Sequence, residues 1–368
     1  MDHRILLITT GGTIGGKLAA DQQDEQMIRS ADQFAMLLGD TIAYLSKKYG
    51  LKIEIDTIEL CDIDSSDINH EHWIQLAETI RDKYDEYESF IITHGTNTLG
   101  YTAAALSFAI ANSSKPIILT GSQVPAGLPG TDGLANLQNA LRVAIWRQDG
   151  QPIKGVVAVF GSHIIAGTRL KKDTEFGYDA FKSFKIGNIG QIGRIIDINE
   201  NNLKKHVSYL RSGLYPEAKK AKDLHCEIDF DMRIASLTEF PGMRSEIFSI
   251  LVEKHNIRGI ILRAFGAGDP CTKHLEAFKY LKREKIPIVI TTQAPNGNSN
   301  FQVNEPGKLL LENNLAIPAY DMSIESQTTK LAWLLAKVKK ADLGYSELCR
   351  EMVNDIRGEV KVLWEIGI

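Results

Sequence analysis

Apolar, strand-like runs alternate with stretches of helical spacing through the first two hundred residues. The runs at 5–8, 53–58, 90–93, 116–120 and 155–160 read as strands. Trp73, Leu76, Ile80 and Tyr84 share one helical face, and 101–109 (Tyr-Thr-Ala-Ala-Ala-Leu-Ser-Phe-Ala) continues as a helix directly from the loop that ends the run at 90–93. Strands alternating with helices predict a mostly parallel, doubly wound sheet.

The alternation lapses at 206–227, a polar, Lys-rich stretch with Gly213 and Pro216 that has the composition of a connector. A second series follows, with strands expected at 233–237, 259–262 and 287–291. Helices are expected at 245–255, 272–285, near 326–339 and at 345–353. The expected fold is therefore a two-domain α/β protein, with a larger amino-terminal domain at 1–205, a linker at 206–227 and a smaller carboxyl-terminal α/β domain at 228–368. A length of 368 residues exceeds what one growing core sustains, and 43% hydrophobic content suffices for two. No repeat or low-complexity segment is present.

Composition removes several function classes. The first residues carry charge and a short strand-like run, without the apolar stretch and cleavage site of a secretory signal, and no window approaches a membrane span. Cys61, Cys226, Cys271 and Cys349 are far apart and unpaired in spacing, which favours reduced thiols in a cytoplasmic protein. A net charge of −4 with dispersed Lys and Arg offers no footprint for nucleic acid, and the one basic cluster, at 204–222, reads as a solvated connector.

The candidate chemistry sits just past the strands. Thr9-Thr10-Gly11-Gly12-Thr13-Ile14-Gly15-Gly16 follows the run at 5–8, and His94-Gly95-Thr96-Asn97-Thr98 follows the run at 90–93. In open α/β sheets ligands bind beyond the strand carboxyl ends, so two Gly-flanked threonines there suggest one site built from both loops. The first loop lacks the Gly-Lys-Ser/Thr ending of a phosphate loop and the spacing of a dinucleotide fingerprint, which argues against a nucleotide site. Taken alone it is also a plain tight turn. Asp62-Ile63-Asp64-Ser65-Ser66-Asp67 lacks the glycine and glutamate of a calcium loop. It reads either as a helix-capping cluster or as a polar clamp for a ligand's charged groups. Thr120-Gly121-Ser122-Gln123 is unremarkable as turn chemistry, His94 reads as a hydrogen-bonded loop residue rather than a base, and no histidine pair has metal-ligand spacing.

With these four loops in order, the chain resembles the bacterial-type L-asparaginases of the asparaginase/glutaminase family over nearly its whole length. Thr-Gly-Gly-Thr-Ile at 10–14 matches the first signature, and His-Gly-Thr-Asn-Thr at 94–98 matches the second at all but one position. Asp64-Ser65-Ser66, Thr120 to Gln123 and Gly167-Thr168-Arg169-Leu170-Lys171-Lys172 look closer to the cytoplasmic type I branch and its tRNA-amidotransferase relatives. So do Leu262 to Gly268 and Thr291-Thr292-Gln293.

The resemblance implies hydrolysis of the side-chain amide of L-asparagine, with no cofactor and no metal. It implies Thr13 as nucleophile, Thr96 as second catalytic threonine, Lys172 as its basic partner, and Asp64, Ser65, Ser66 and Ser122 as substrate contacts. It also implies a homodimer or homotetramer acting on a small-molecule amide. Asn97 stands in the catalytic and substrate-binding position where relatives have an aspartate that holds the substrate's α-ammonium. The expected lid at 15–34 has no tyrosine where relatives carry one that assists the nucleophile. Three readings compete: an asparagine amidohydrolase, a substrate-shifted or silent member that binds amino acids, and the amide-donating component of a tRNA amidotransferase. The last normally has an extra amino-terminal domain and a basic tRNA face; here the first strand begins within a few residues of Met1.

Overall fold

A computed structural model describes residues 2–12, 36–125, 128–210, 224–340 and 342–361. The chain divides into two compact units, Met1–Ile228 and Asp229–Ile368.

The first unit is built on β1 (Asp2–Gly11), β2 (Lys52–Ile63), β3 (Ser89–Thr93), β4 (Pro116–Thr120), β5 (Gly155–Phe160), β6 (His163–Ala166), β7 (Leu170–Lys172), β8 (Phe181–Ser183), β9 (Gly190–Ile192) and β10 (Ile196–Ile198). Eight of these form one sheet in the order β10-β9-β6-β5-β4-β3-β1-β2. The five from β2 to β5 are mutually parallel. Ile5 to Ile8 and Ile117 to Leu119 have no exposure, as expected of strands covered on both faces. The helices are α1 (Gly39–Tyr49), α2 (His70–Asp82), α3 (Leu99–Ala109), α4 (Gly133–Ile145) and α5 (Glu200–Leu210).

Three differences from the sequence reading have identifiable causes. The sheet ends in three antiparallel strands, because Gly161 takes φ +55° in a two-residue turn that folds β6 back on β5. That Gly-Ser turn was the available signal. Tyr84 lies beyond α2 in a short 3₁₀ turn, where its hydroxyl meets Ser113 and Ser114. The stretch expected as a connector begins as helix: α5 runs to Leu210, with buried His206 meeting the Lys154 carbonyl. It ends paired, His225–Cys226 running antiparallel to Ile110–Ala111. Residues 211–223 lie outside the described residues.

The second unit is a four-stranded parallel sheet of β11 (Ile234–Thr238), β12 (Gly259–Ala264), β13 (Ile288–Thr292) and β14 (Ile317–Pro318) in that order. It carries α6 (Glu246–His255), α7 (Leu275–Arg283), α8 (Glu305–Glu312), α9 (Ile324–Lys339) and α10 (Tyr345–Val353). Phe248 and Phe278 meet edge to face over Leu262 and Ile290 in its core. All four cysteines are free, and no helix among the described residues is long and apolar enough to cross a membrane.

Candidate active site

The order β2-β1-β3-β4 places four post-strand loops side by side at the carboxyl edge of the sheet. Glycines let them touch: Gly12 abuts Gly95, Gly95 abuts Ser65, and Gly121 abuts the His94 carbonyl. The Thr98 hydroxyl donates to the Ser65 carbonyl at 2.6 Å, tying the β2 and β3 loops together. The expected clamp, the second threonine loop and the Ser122 loop are thereby one construction.

Lys172 arrives from a distant part of the chain. Its strand β7 pairs with β8, Lys172 opposite Phe181, and the turn before it presses Gly167 against Ala103 and Ser107 of α3. Because α3 starts directly after the second threonine loop, Lys172 is delivered to that loop. Its Nζ donates to Thr96 Oγ1 at 2.8 Å and to Asn97 Oδ1 at 2.9 Å. Burial holds the Lys172 ammonium below the ordinary lysine range, with Glu175 opposing the shift.

A lysine ammonium only donates, so the Asn97 carboxamide must turn its oxygen toward Lys172. Its Nδ2 is left 3.5 Å from Ser66 Oγ, a weak contact at best. The position therefore presents N–H donors to its other side, where a carboxylate would present acceptors.

The remaining expected residues fall into distinct roles. Asp64 accepts from the Ser66 backbone N–H at 2.7 Å, which holds its carboxyl below the usual range; this is the capping geometry, at the mouth of the same crevice. Ser65 is buried, and the Ser122 hydroxyl is fully buried without a hydrogen-bond partner among the described residues. Such an orphan is uncommon enough to need a reason. Thr13 and the expected lid at 15–34 lie outside the described residues. Gly12, immediately before Thr13, is placed against Gly95.

One supporting set was not legible. The Trp73 indole donates to Thr102 Oγ1 at 3.1 Å, and Thr102 Oγ1 lies 2.9 Å from His94 Nε2. An indole N–H can only donate, so Thr102 donates onward, His94 Nε2 accepts, and Nδ1–H donates to the Gly95 carbonyl at 2.7 Å. Burial lowers His94 to about 4, keeping it neutral. His94 is thus a buried brace beneath Gly95 and Thr96. Trp73 and Thr102 sit on different helices, and no spacing connects them.

The comparisons with known proteins cover the chain almost end to end. The family described as asparaginase, N-terminal, matches residues 4–204, and the glutaminase/asparaginase C-terminal domain matches 233–343. The L-asparaginase of Thermococcus kodakarensis is 31% identical over 360 residues, 97% of this chain and 99% of that protein. A solved structure described as the thermostable L-asparaginase from Thermococcus kodakarensis is similar with a TM-score of 0.80 at 30% identity, covering 98% of this chain and 99% of that one. L-asparaginase 1 of Escherichia coli K12 is 30% identical over 367 residues, 97% of each chain. A glutamyl-tRNA(Gln) amidotransferase polypeptide of Methanococcus maripaludis is 30% identical over 364 residues, 97% of this chain and 80% of that protein.

Proposed function

The chain belongs to the asparaginase family, and from that premise we propose that it hydrolyses the side-chain amide of L-asparagine, or of a close analogue, to the carboxylate and ammonia through a threonine nucleophile. The single observation that carries this reading is the 2.8 Å contact of Lys172 Nζ with Thr96 Oγ1 at the head of the post-strand crevice. A hydroxyl held against a lysine of lowered basicity is a proton relay.

In this mechanism the Thr13 hydroxyl attacks the amide carbonyl and its proton passes to a base. The carbonyl oxygen takes the charge, stabilised by backbone N–H groups of the Gly-flanked loops. The C–N bond then breaks, and the departing nitrogen takes a proton to leave as ammonia. Neutral Lys172, acting through Thr96, accepts a proton from the water that cleaves the resulting ester, releasing the acid and restoring Thr13.

Asn97 bears on which amide is used. With its oxygen engaged by Lys172, it offers donors where an α-ammonium, which has only donors, needs an acceptor. An amide whose α-nitrogen is uncharged or acylated avoids that clash, which supports a shifted preference over a silent site.

The experiment is ammonia release from L-asparagine and from N-acetyl-L-asparagine by the unmodified chain, Thr13→Ala and Asn97→Asp. Thr13-dependent turnover is the expected result, with N-acetyl-L-asparagine favoured more strongly by the unmodified chain than by Asn97→Asp. Turnover that survives Thr13→Ala overturns the nucleophile. Aspartate binding without ammonia from any variant on either amide overturns the enzyme reading in favour of a binding protein.

A further inference from the structure

A second cavity lies in the first unit, away from the crevice. It has a volume of about 790 Å³, within the range of small-molecule sites, and runs between α1 and α4. Each helix contributes one stripe: Asp40, Tyr44 and Lys48 recur every four residues on α1, and Gln138 and Arg142 do so on α4. Gln138 Nε2 donates to Thr41 Oγ1 at 2.9 Å and spans the two helices. A helix that leaves the carboxyl edge of a parallel sheet must return to its amino edge. The groove residues after each helix, Leu51 and Trp146-Arg147, therefore place it toward the edge opposite the crevice.

Its charge is one-sided. Lys48, Arg142, Arg147 and Arg194 line it, against one lining carboxylate, Asp40, in a chain whose net charge is −4. None of the four cations forms an ion pair among the described residues; Arg142 and Arg147 spend donors on neutral acceptors instead, Asn139 Oδ1 and main-chain carbonyls. Arg147 is half-buried, and the Glu88 carboxylate acts on it electrostatically without forming an ion pair among the described residues. Tyr44, Tyr49 and Trp146 supply aromatic rings to the walls, and Lys48 Nζ already lies over two of them, 5.8 Å from the Tyr44 ring centre and 5.0 Å from that of Tyr49. Cations without an ion-pair partner among the described residues select an anion, and aromatic walls select a planar ring.

We propose that this groove binds a nucleoside phosphate, the phosphate among the arginines and Lys48 and the base against the tyrosines. The inference does not rest on the reaction at the other edge of the sheet.

Isothermal titration of the full chain with AMP, with inorganic phosphate and adenosine as partial ligands, tests it. The expected result is saturable AMP binding with Kd below about 100 μM, at least tenfold tighter than either partial ligand and weakening as salt rises. Lys48→Ala/Arg194→Ala and Tyr44→Ala should each weaken it tenfold or more, while saturating L-aspartate leaves it unchanged. The absence of saturable binding at millimolar AMP, indifference to these variants, or competition by L-aspartate would overturn the proposal. So would a change in sedimentation by Lys48→Glu/Arg194→Glu with AMP binding intact, which would mark the groove as a contact between copies of the chain.

Discussion

Gly12 and Gly95 stand backbone to backbone: a Cβ on Gly12 would lie 2.4 Å from both the Cα and the N of Gly95. Gly12 also holds φ +77°, and a Cβ on Gly95 would come within 2.7 Å of Ser65. The three loops that carry Gly12, Thr96 and Ser65 can close on one another only while these positions have no side chain.

Gly12→Ala is therefore expected to cost about 1–3 kcal/mol from the strained dihedral and the overlap. It should also lower kcat/KM by roughly a hundredfold, the usual effect of an ångström-scale misplacement. Gly50→Ala is the control, since Gly50 has φ +64° with nothing within 4 Å. Urea unfolding and steady-state kinetics of the pair should show a stability loss in both and an activity loss in Gly12→Ala alone.

In the proposed mechanism Lys172 acts as a base only when neutral, and burial already moves its titration downward. Asn97→Asp places an anion beside Nζ, favours the ammonium, and should shift the alkaline rise of kcat/KM upward by about one to two pH units. The same variant should raise kcat/KM for L-asparagine by roughly one and a half to three and a half decades, from the 2–5 kcal/mol range of a buried charge contact. Lys172→Met should abolish at least two decades of activity. A pH–rate profile unmoved by Asn97→Asp would remove Lys172 from the relay.

Acid should destabilise the first unit through its buried histidines, His3, His94 and His206, whose pKa values burial lowers. His3 and His94 are both lowered to about 4, in each case mainly by burial. Between about pH 6.5 and 4 the unfolded chain binds these protons and the folded chain does not. The stability present above 6.5 is therefore lost as pH falls through that window, about 3 kcal/mol for each group. The urea midpoint should drop from pH 7 to pH 4.5, and less steeply in His3→Gln.

In the second unit Lys330 and Glu359 form an ion pair with both side chains fully buried. Burial alone would raise the Glu359 pKa, but Lys330 and the Arg357 backbone N–H keep it low. Lys330→Met leaves that carboxylate without its cation and should cost about 3–5 kcal/mol. Adding Glu359→Gln should recover part of the loss. Denaturation followed by tryptophan fluorescence measures both, and equal stability of Lys330→Met and the unmodified chain would contradict the pair's role.

The strands of the parallel core were legible because residues such as Ile5 to Ile8 and Ile117 to Leu119 must be apolar on both faces, a demand written locally. The two Gly-flanked threonine loops stood out as a pair, since each follows a buried strand and either one alone also reads as a tight turn. The short antiparallel edge was harder: β9 and β10 are three residues each, and so brief a segment carries no periodicity. Asp64 reads two ways in the sequence because the carboxylate that caps the Ser66 N–H is of the same residue type as one that clamps a ligand.

By its own residues, then, the sequence determined the α/β class, the two series of strands and the loops proposed to carry the chemistry. Only the tertiary structure decided that Lys172 meets Thr96 across 76 positions, that Asn97 must turn its oxygen inward, and that Trp73 and Thr102 brace His94. Burial and turn preferences act over a few residues and leave their mark in composition. A hydrogen bond between distant side chains depends on how helices and strands pack, and that packing is a property of the whole chain.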